Sequence, residues 1–399
     1  MSKAQERIDN NKVGIGSYIA LALIVLFFSG FMQSFQDGPL AWLSFFDYTT
    51  ITGAFGTIGD TGANFTGSGG DGARQGFMFA FSLIPGVMVA MGAVAVAEAF
   101  GALKACQQLL TPLLKPVLGL PGKVGLTMIT GLQSTDASAV MAKVLKDDGS
   151  LTEEQTTVLC AWLFSSDATI TNFLSTGAAL WGLTNADGSP AIKISIMIPL
   201  VLQLILKFFG ANIARFYLKF KNKSDETVKK EKTVEKATTE VAEETKVEEE
   251  KKEKINPTTV FVQGATTGLN IGLKSIIPNV LMAYSIIKIL NVTGLMDVIG
   301  KVLAPVMGIF GLPGQAATVL LASFLSMGGG VGAAAGLFEE GLLTGTHLAI
   351  LSPAMFLAGS LLQYAGRLLA VVEVKNKGLL FGICFINAIV AMLIMNILV

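Results

Sequence analysis

The charged residues of this chain are concentrated in one short segment, and this distribution limits the fold more than any other feature. Between Lys221 and Lys254, 21 of 34 residues are charged, whereas the other 365 residues share only 37 charges. Ordinary soluble domains carry about 25% charged residues. The distribution therefore excludes a soluble enzyme, a secreted disulfide scaffold and a nucleic-acid binder. It predicts a polytopic membrane protein with a charged internal tether.

Several apolar stretches are long enough to cross a bilayer, which takes roughly 20 residues per helix. Two further apolar regions, 104–147 and 297–340, are interrupted by Pro and Gly and then by a small or polar break, so each is predicted to be a re-entrant hairpin. The predicted fold class is an all-α polytopic membrane protein with about seven full transmembrane helices and two re-entrant hairpins. The seven predicted spans are about 13–35, 77–103, 156–183, 190–220, 264–290, 345–372 and 378–399.

The two hairpin regions belong to an internal repeat. The segment GLPG at 119–122 recurs at 311–314, which is 192 residues later, and the same offset places Ser134 on Ser326. In the predicted topology the helix 77–103 and its counterpart run in opposite directions across the membrane. The repeats are therefore predicted to be inverted, an arrangement typical of secondary transporters, whose sites lie where broken elements meet.

The positive-inside rule gives a consistent orientation with the N-terminus in the cytoplasm and the C-terminus outside. It counts the Lys and Arg residues of 104–146 and 207–223 as cytoplasmic; if 104–147 crossed the membrane once, the tether would instead lie outside. The predicted domains are a first transmembrane helix with an outer interfacial loop (1–76), the first repeat (77–220), a disordered charged cytoplasmic tether (221–256) and the second, inverted repeat (257–399).

Polar residues cluster at the break in the first hairpin. Asp136 is the most informative, because an intramembrane carboxylate is costly unless it is paired or hydrated. It is predicted to contact substrate or a cation such as Na⁺; in the alternative, the break lies near the cytoplasmic surface and Asp136 is solvated or caps the next helix. The candidate substrate-binding residues at this break are Gln133, Ser134, Thr135, Asp136 and Ser138.

A second polar cluster interrupts the apolar helix 156–183. It indicates an unwound midpoint at which Asp167 and Asn172 face the first break, and Asp167 is the second candidate for binding Na⁺. The alternative is polar packing between helices, in which Ser and Thr satisfy one another. The candidate substrate-binding residues in this cluster are Ser166, Asp167, Thr169 and Asn172.

The second half offers fewer polar candidates. Gly328 and the glycines at 332 and 336 have the spacing of close helix contact, so packing is the favoured role there, with substrate contact by the break as the alternative. Two amides in apolar helices are also candidates, with packing as their alternative. The candidate substrate-binding residues of this half are Ser326, Gly328, Gly329, Asn270 and Gln363.

Three motifs resemble those of the nucleoside-recognition (Gate-domain) membrane proteins: the paired GLPG segments, QSTDAS at 133–138 and SSDATI at 165–170. The first half, to about residue 220, resembles the YjiH family, and the second, from about residue 256, resembles its smaller partner YjiG. Spore maturation proteins A and B are similar. The resemblance implies an inner-membrane protein with Gate domains like those of concentrative nucleoside carriers, and it is compatible with a homodimer.

These observations predict a secondary active transporter of a small polar solute, namely a nucleoside, an amino acid or a dipeptide, in the bacterial inner membrane. Coupling to Na⁺ or H⁺ is expected, without another cofactor. The expected partners are the solute and the lipid bilayer, not nucleic acid. No nucleophile–base–orienter set is visible, so an enzyme is not predicted. The alternative function is a non-transporting membrane scaffold or assembly protein of the spore-maturation type.

Overall fold

The computed structural model describes residues 14–35, 40, 43, 47–48, 57–58, 63–64, 72–225, 256–292 and 294–399. Two short strands, β1 (Thr57–Ile58) and β2 (Ala63–Asn64), form an antiparallel pair. The helices in the described part of the chain are α1 (Ile15–Phe28), α2 (Gly72–Ala99), α3 (Ala102–Leu113), α4 (Gly125–Thr130), α5 (Thr135–Asp147), α6 (Glu153–Phe164), α7 (Thr169–Ser175), α8 (Met197–Asp225), α9 (Pro257–Ile271), α10 (Ile277–Val292), α11 (Leu295–Gly308), α12 (Ala316–Leu325), α13 (Met327–Glu339), α14 (Gly345–Leu357), α15 (Leu361–Tyr364) and α16 (Lys377–Leu398).

Short turns of other helix types extend several of these helices. The 3₁₀ turns are Phe31–Phe35, Gly122–Val124 and Gly177–Gly182, and the π turns are Leu114–Leu118, Gly272–Ile276 and Ala365–Leu369. The predictions for the interfacial loop within 36–76 and for the charged tether fall mostly outside the described residues.

The helical content confirms the predicted all-α polytopic fold. Three of the seven predicted spans are nevertheless not continuous helices. The span at 345–372 is interrupted at 358–360, between α14 and α15, although the whole segment is long and apolar enough to cross a membrane. The span at 13–35 has a helix of only 14 residues, which ends before Gly30, where φ is +72°. The span at 156–183 is interrupted after Phe164. The described helices that are long and apolar enough to cross a membrane are Gly76–Ala99, Met197–Lys221, Pro257–Asn291, Gly345–Leu369 and Lys377–Leu398.

Both predicted hairpins are present as two short helices separated by a break. In the first hairpin α4 and α5 flank residues 131–134, and in the second α12 and α13 meet at Ser326. The Oγ of Ser134 accepts a hydrogen bond from the Ala137 N–H at 3.3 Å, and the Oγ of Ser326 accepts one from the Gly329 N–H at 3.3 Å. Because Ser is a favoured N-cap residue, these two side chains define where the second helix of each hairpin begins.

The 192-residue offset also holds for the backbone conformation. Gly119 and Gly311 both have a φ of +70°, and Ala168 and Ser360 have φ values of +44° and +53°. Each of α6 and α14 begins with a threonine capping box. Two halves of different sequence thus repeat the same sequence of helices, caps and left-handed positions, which confirms the internal repeat.

Contacts between the loops show that the repeats are inverted. At one face, the Lys146 ammonium at the end of α5 donates a hydrogen bond to the Val372 carbonyl at 3.1 Å, in the loop before α16. The chain reaches the opposite face after α7. There the backbone of Ala191 lies against Gly345, the first residue of α14, so closely that a Cβ on Gly345 would be 1.7 Å from the Ala191 carbonyl oxygen. The first hairpin therefore opens on the face of Val372, and the second opens on the face of Ala191.

The two halves pack together through glycines of α2 and α9. A Cβ on Gly264 would lie 2.5 Å from the Met91 carbonyl oxygen, and one on Gly268 would lie 2.8 Å from the Met88 Cα. A side chain at either position would clash with the facing backbone, so only glycine fits there, and small residues let membrane helices approach this closely. This backbone contact joins the segment before the first hairpin to the segment before the second.

Candidate functional site

The candidate site is centred on the four-residue break between α6 and α7, so the predicted unwound midpoint is present. Ser166 and Ala168 have left-handed φ values of +51° and +44°. Side-chain-bearing residues rarely adopt this conformation, so the surrounding packing must hold it. Every residue of the break, from Ser165 to Ala168, is at most 6% exposed. The break therefore leaves backbone carbonyl groups without helical partners deep inside the protein.

Asp167 is the centre of this break. One carboxylate oxygen accepts a hydrogen bond from the Ala168 N–H at 2.8 Å, and the other accepts one from the Thr135 hydroxyl at the start of α5. The Asp167 carbonyl accepts a hydrogen bond from the Asn172 amide at 2.7 Å. The structure thus brings together Thr135, Asp167 and Asn172 from the two polar clusters that the sequence analysis selected.

Lys207 corrects the charge assignment of the sequence analysis. The positive-inside rule places it in the cytoplasm, but it lies within the span Met197–Lys221 and is fully buried. Its ammonium donates hydrogen bonds to the carbonyls of Ser165 at 2.6 Å and Ser166 at 2.9 Å, and its positive charge attracts Asp167. The available signal was a lysine among apolar residues of a span, which is a functional-site indicator by default.

Two further polar residues around the break, Gln203 and Asn387, were also missed. The Ser166 hydroxyl donates a hydrogen bond to Gln203 at 2.7 Å, and the Asn387 amide donates one to the Ser165 hydroxyl at 2.9 Å. Gln203 lies one turn before Lys207 on α8, a spacing that could have linked the two. Asn387 could not have been linked to the break from sequence, because α16 reaches it only through the tertiary fold.

Asp136 lies beside this buried cluster but in a different environment. It forms a two-point ion pair with Arg367, in which the Arg367 Nε donates to one carboxylate oxygen at 2.8 Å and an NH2 group donates to the other. The two side chains are 62% and 48% exposed. Glu373, which is close to Arg367 in sequence, pairs with Lys143 instead. Asp136 therefore satisfies its charge by linking the two halves.

The other residues of the first break have local partners. The Gln133 amide donates a hydrogen bond to Glu98 of α2, and the Ser138 hydroxyl donates one to the Thr135 carbonyl at 2.9 Å. Ser134 serves as the N-cap of α5 described above. Thr169, at the start of α7, donates its hydroxyl proton to the Ser166 carbonyl. These side chains stabilise the two breaks as well as surrounding them.

The second-half candidates divide into two groups. The Ser326 hydroxyl donates a hydrogen bond to Asn279 at 2.8 Å, and a Cβ on Gly328 would lie 3.3 Å from the Asn279 Cβ, so these residues pack α13 against α10. Gly329 supplies the N–H that Ser326 caps. Asn270 and Gln363 are both exposed.

The two repeats meet at equivalent positions. The Asn172 amide donates a hydrogen bond to the Tyr364 hydroxyl at 3.0 Å, and these residues are 192 positions apart. Equivalent residues contact each other only where they lie near the axis that relates the two repeats. Asn172 also contacts the Asp167 carbonyl, so the break in the first repeat lies next to this axis. Among the described residues, no group of three or more His, Cys, Asp or Glu side chains is placed to hold a metal ion.

The comparisons with known proteins agree with this arrangement. The family model described as "Gate: Nucleoside recognition" matches residues 80–182 and 273–372, which together make up half of the chain and contain both hairpins. The chain belongs to the Gate family. The matched segments begin within α2 and at the π turn before α10, so the family's unit coincides with each repeat. With five apolar spans among its described residues, this Gate protein is a multi-pass membrane protein.

Two Escherichia coli K12 relatives together resemble most of this Gate protein. "Uncharacterized protein YjiH" is 40% identical over 223 residues, which are 55% of this chain and 93% of the relative. "Inner membrane protein YjiG" is 44% identical over 146 residues, which are 36% of this chain and 95% of the relative. The chain therefore resembles a fusion of a YjiH-like and a YjiG-like half, as the sequence motifs indicated.

The matches to solved structures are weaker. CNTnw in an inward-facing substrate-bound state has a TM-score of 0.44 and 15% identity, and the match covers 97% of this chain and 89% of CNTnw. A CNTnw variant in an intermediate state has a TM-score of 0.47 and 14% identity, with coverages of 96% and 90%. Membership in the Gate family thus rests on the sequence matches.

Proposed function

We infer that this Gate protein is a secondary active transporter of a small polar solute in the inner membrane, coupled to Na⁺ or H⁺. The observation that carries this proposal is the buried pair of opposite charges, Asp167 and Lys207, at a broken helix beside the axis between two inverted repeats. Charges buried at membrane depth are expensive and are characteristic of substrate and ion pathways. Broken helices between inverted repeats are the usual position of a transporter site.

The proposed solute contacts are the polar groups around the break and around the first hairpin, chiefly Thr135, Asp167 and Asn172. They offer a carboxylate, a hydroxyl and an amide, which suit the hydroxyl and amide groups of a nucleoside or the ammonium group of an amino acid or dipeptide. The family description supports nucleosides as the first class to test. The cytoplasmic location of the N-terminus and the assembly of the chain into a homodimer remain predictions.

Exchange of radiolabelled solute across proteoliposome membranes tests the proposal. Uridine, alanine and alanyl-alanine serve as probes, each loaded inside and labelled outside. Asp167→Asn is expected to lower exchange of the transported probe by about tenfold or more, because one charge-assisted interaction at the break contributes at least the 1.4 kcal/mol that corresponds to a factor of ten. Initial rates of tracer entry measure this effect.

Asp187→Asn is the matched control for this experiment. Asp187 is a carboxylate in the loop between α7 and α8, where its Oδ1 accepts a hydrogen bond from the Ser189 N–H at 2.9 Å. Its replacement is expected to leave exchange unchanged. Equal exchange by wild type and Asp167→Asn would contradict the proposed site, whereas absence of exchange for a broad solute set would favour the scaffold alternative.

A further inference from the structure

Lys207 fills a position that has the chemistry of a cation site. Its ammonium donates to the carbonyls of Ser165 and Ser166 at 2.6 and 2.9 Å. The Trp162 ring lies 4.5 Å from the same nitrogen, so an aromatic face covers it as well. Lys207 is fully buried, and the two carbonyls and the ring surround its charge with electron-rich groups.

The carbonyl groups that Lys207 contacts are those released by the break in the α6–α7 helix. Unwound carbonyls of broken membrane helices are the groups that coordinate Na⁺ or participate in proton coupling in secondary transporters. Here a covalently attached ammonium occupies two of them, with Asp167 supplying the opposite charge. A Na⁺ ion at this position would have to displace Lys207 from a fully buried pocket.

We propose that Lys207 carries the coupling proton of this transporter, at the position where a metal cation would otherwise bind. The inference rests on the proposed transport function and assigns its coupling ion. In the proton-release step only one N–H bond of the ammonium breaks. The proton passes to water on one side of the membrane, the electron pair stays on the amine, and reprotonation from the other side restores the ammonium.

The surroundings of Lys207 contain few other titratable groups. Asp167 faces it from the break, and Cys384 faces it from α16. Tyr364 and Arg367 face Asp167 from the second repeat, and Asp136 is paired with Arg367. Arg367 and Asp136 neutralise each other, so Asp167 is the carboxylate left to balance Lys207. Loss of the Lys207 proton therefore changes the net charge of the buried break.

This change in charge has a mechanical consequence. The protonated side chain ties α8 to the carbonyls of Ser165 and Ser166 by charge-assisted hydrogen bonds, which are stronger than neutral ones. The neutral amine holds the same carbonyls more weakly and leaves Asp167 without its counter-charge. Protonation thus favours the arrangement seen in this structure, and deprotonation favours separation of α8 from the break.

Exchange and proton-driven uptake in proteoliposomes separate coupling from transport. Wild type is expected to exchange at least one of the probes uridine, alanine and alanyl-alanine, and to accumulate it when a pH gradient is imposed but not when a Na⁺ gradient is imposed. In Lys207→Arg, proton-driven accumulation is expected to fall about tenfold or more further than exchange does, because a guanidinium does not release its proton. Lys219→Arg, an exposed lysine on the same helix, is the control and is expected to behave as wild type.

Accumulation driven by Na⁺ in wild type, or undiminished proton-driven accumulation by Lys207→Arg, would overturn the assignment of Lys207 while leaving transport intact. A second measurement does not depend on any solute. In detergent, the unfolding temperature of wild type is expected to be the same in NaCl and choline chloride. Lys207→Ala empties the cation position, so its lower unfolding temperature is expected to rise saturably with Na⁺ but not with choline.

Two results would contradict the cation-site geometry even if no probe is exchanged. One is a saturable rise in the unfolding temperature of wild type with Na⁺, and the other is no such rise for Lys207→Ala. Lys207→Gln replaces Lys207→Ala if the alanine variant does not fold in either salt. Glutamine is shorter and uncharged, so the same selective stabilisation by Na⁺ is expected. If no probe is exchanged but Na⁺ raises the unfolding temperature of the variant, the transport proposal is overturned and the cation position at Lys207 is retained.

Discussion

Asp136 and Arg367 connect the two repeats through side chains that remain about half exposed. Exposed ion pairs gain little stability, because solvent screens their charges and ordering two long side chains costs entropy. Asp136→Asn is therefore expected to lower the free energy of unfolding by only about 0.2–1 kcal/mol. Chemical denaturation in detergent micelles, followed by intrinsic fluorescence, measures this quantity.

A double-mutant cycle with Arg367→Gln isolates the pair itself. The coupling free energy between the two residues is expected to lie in the same range of about 0.2–1 kcal/mol. A coupling of about 3 kcal/mol or more would contradict this description, because it is the size found when one partner of a buried pair is removed. The change in the free energy of unfolding is thus expected to distinguish the exposed Asp136–Arg367 pair from the buried charges of Asp167 and Lys207.

At the scale of elements, the packing of α2 on α9 depends on a backbone approach that side chains would prevent. Gly264→Ala is expected to lower the free energy of unfolding by about 1–3 kcal/mol, because its Cβ would lie within 2.5 Å of the Met91 carbonyl oxygen, a backbone atom that cannot rotate away. Thermal unfolding followed by far-UV circular dichroism in detergent measures the change.

Gly382→Ala serves as the matched control, since Gly382 lies inside α16 and has no atom within 4 Å of a Cβ built there. Alanine favours helix over glycine by about 1 kcal/mol, so this variant is expected to be as stable as wild type or more stable. If both variants lost stability equally, close packing of α2 and α9 would not be the reason for the effect of Gly264→Ala.

At the scale of the whole molecule, the two halves are expected to assemble without a covalent link. YjiH and YjiG are separate chains that each resemble part of this one, and α2 contacts both α9 and α10 across the division. Coexpression of residues 1–225 with residues 256–399 is therefore expected to yield an equimolar complex. Affinity purification through a tag on one half, with quantification of the other, measures assembly.

The same split chains test which surface holds the halves together. Gly264→Val in the second half is expected to reduce recovery of the first, because a branched side chain cannot enter the contact with Met91. Gly382→Val is expected to leave recovery unchanged. Recovery unaffected by Gly264→Val would indicate that the hairpins and the Asp136–Arg367 pair suffice for assembly.

A split chain also loses the high effective concentration that a covalent link provides, so its thermal stability is expected to be lower than that of the intact chain.

Much of the element order could be predicted because it depends on local chemistry. The length of an apolar stretch determines whether a helix can span the membrane, and Ser134 and Ser326 mark helix starts that a capping side chain defines. The break at 165–168 could also be predicted, since a run of polar residues interrupts an apolar helix. The helix at 13–35 was predicted too long, because hydropathy does not detect the turn at Gly30.

The membrane class, the repeat and the two polar clusters could be predicted, because they depend on composition and spacing along the chain. Which charges meet depends instead on how distant helices pack. Asp136 pairs with Arg367 at a separation of 231 residues, and Lys207, which resembles one more cytoplasmic positive charge in sequence, is buried against the break. Charge counting cannot distinguish a lysine at the membrane surface from one inside the fold, because its burial depends on helices that are distant in the chain.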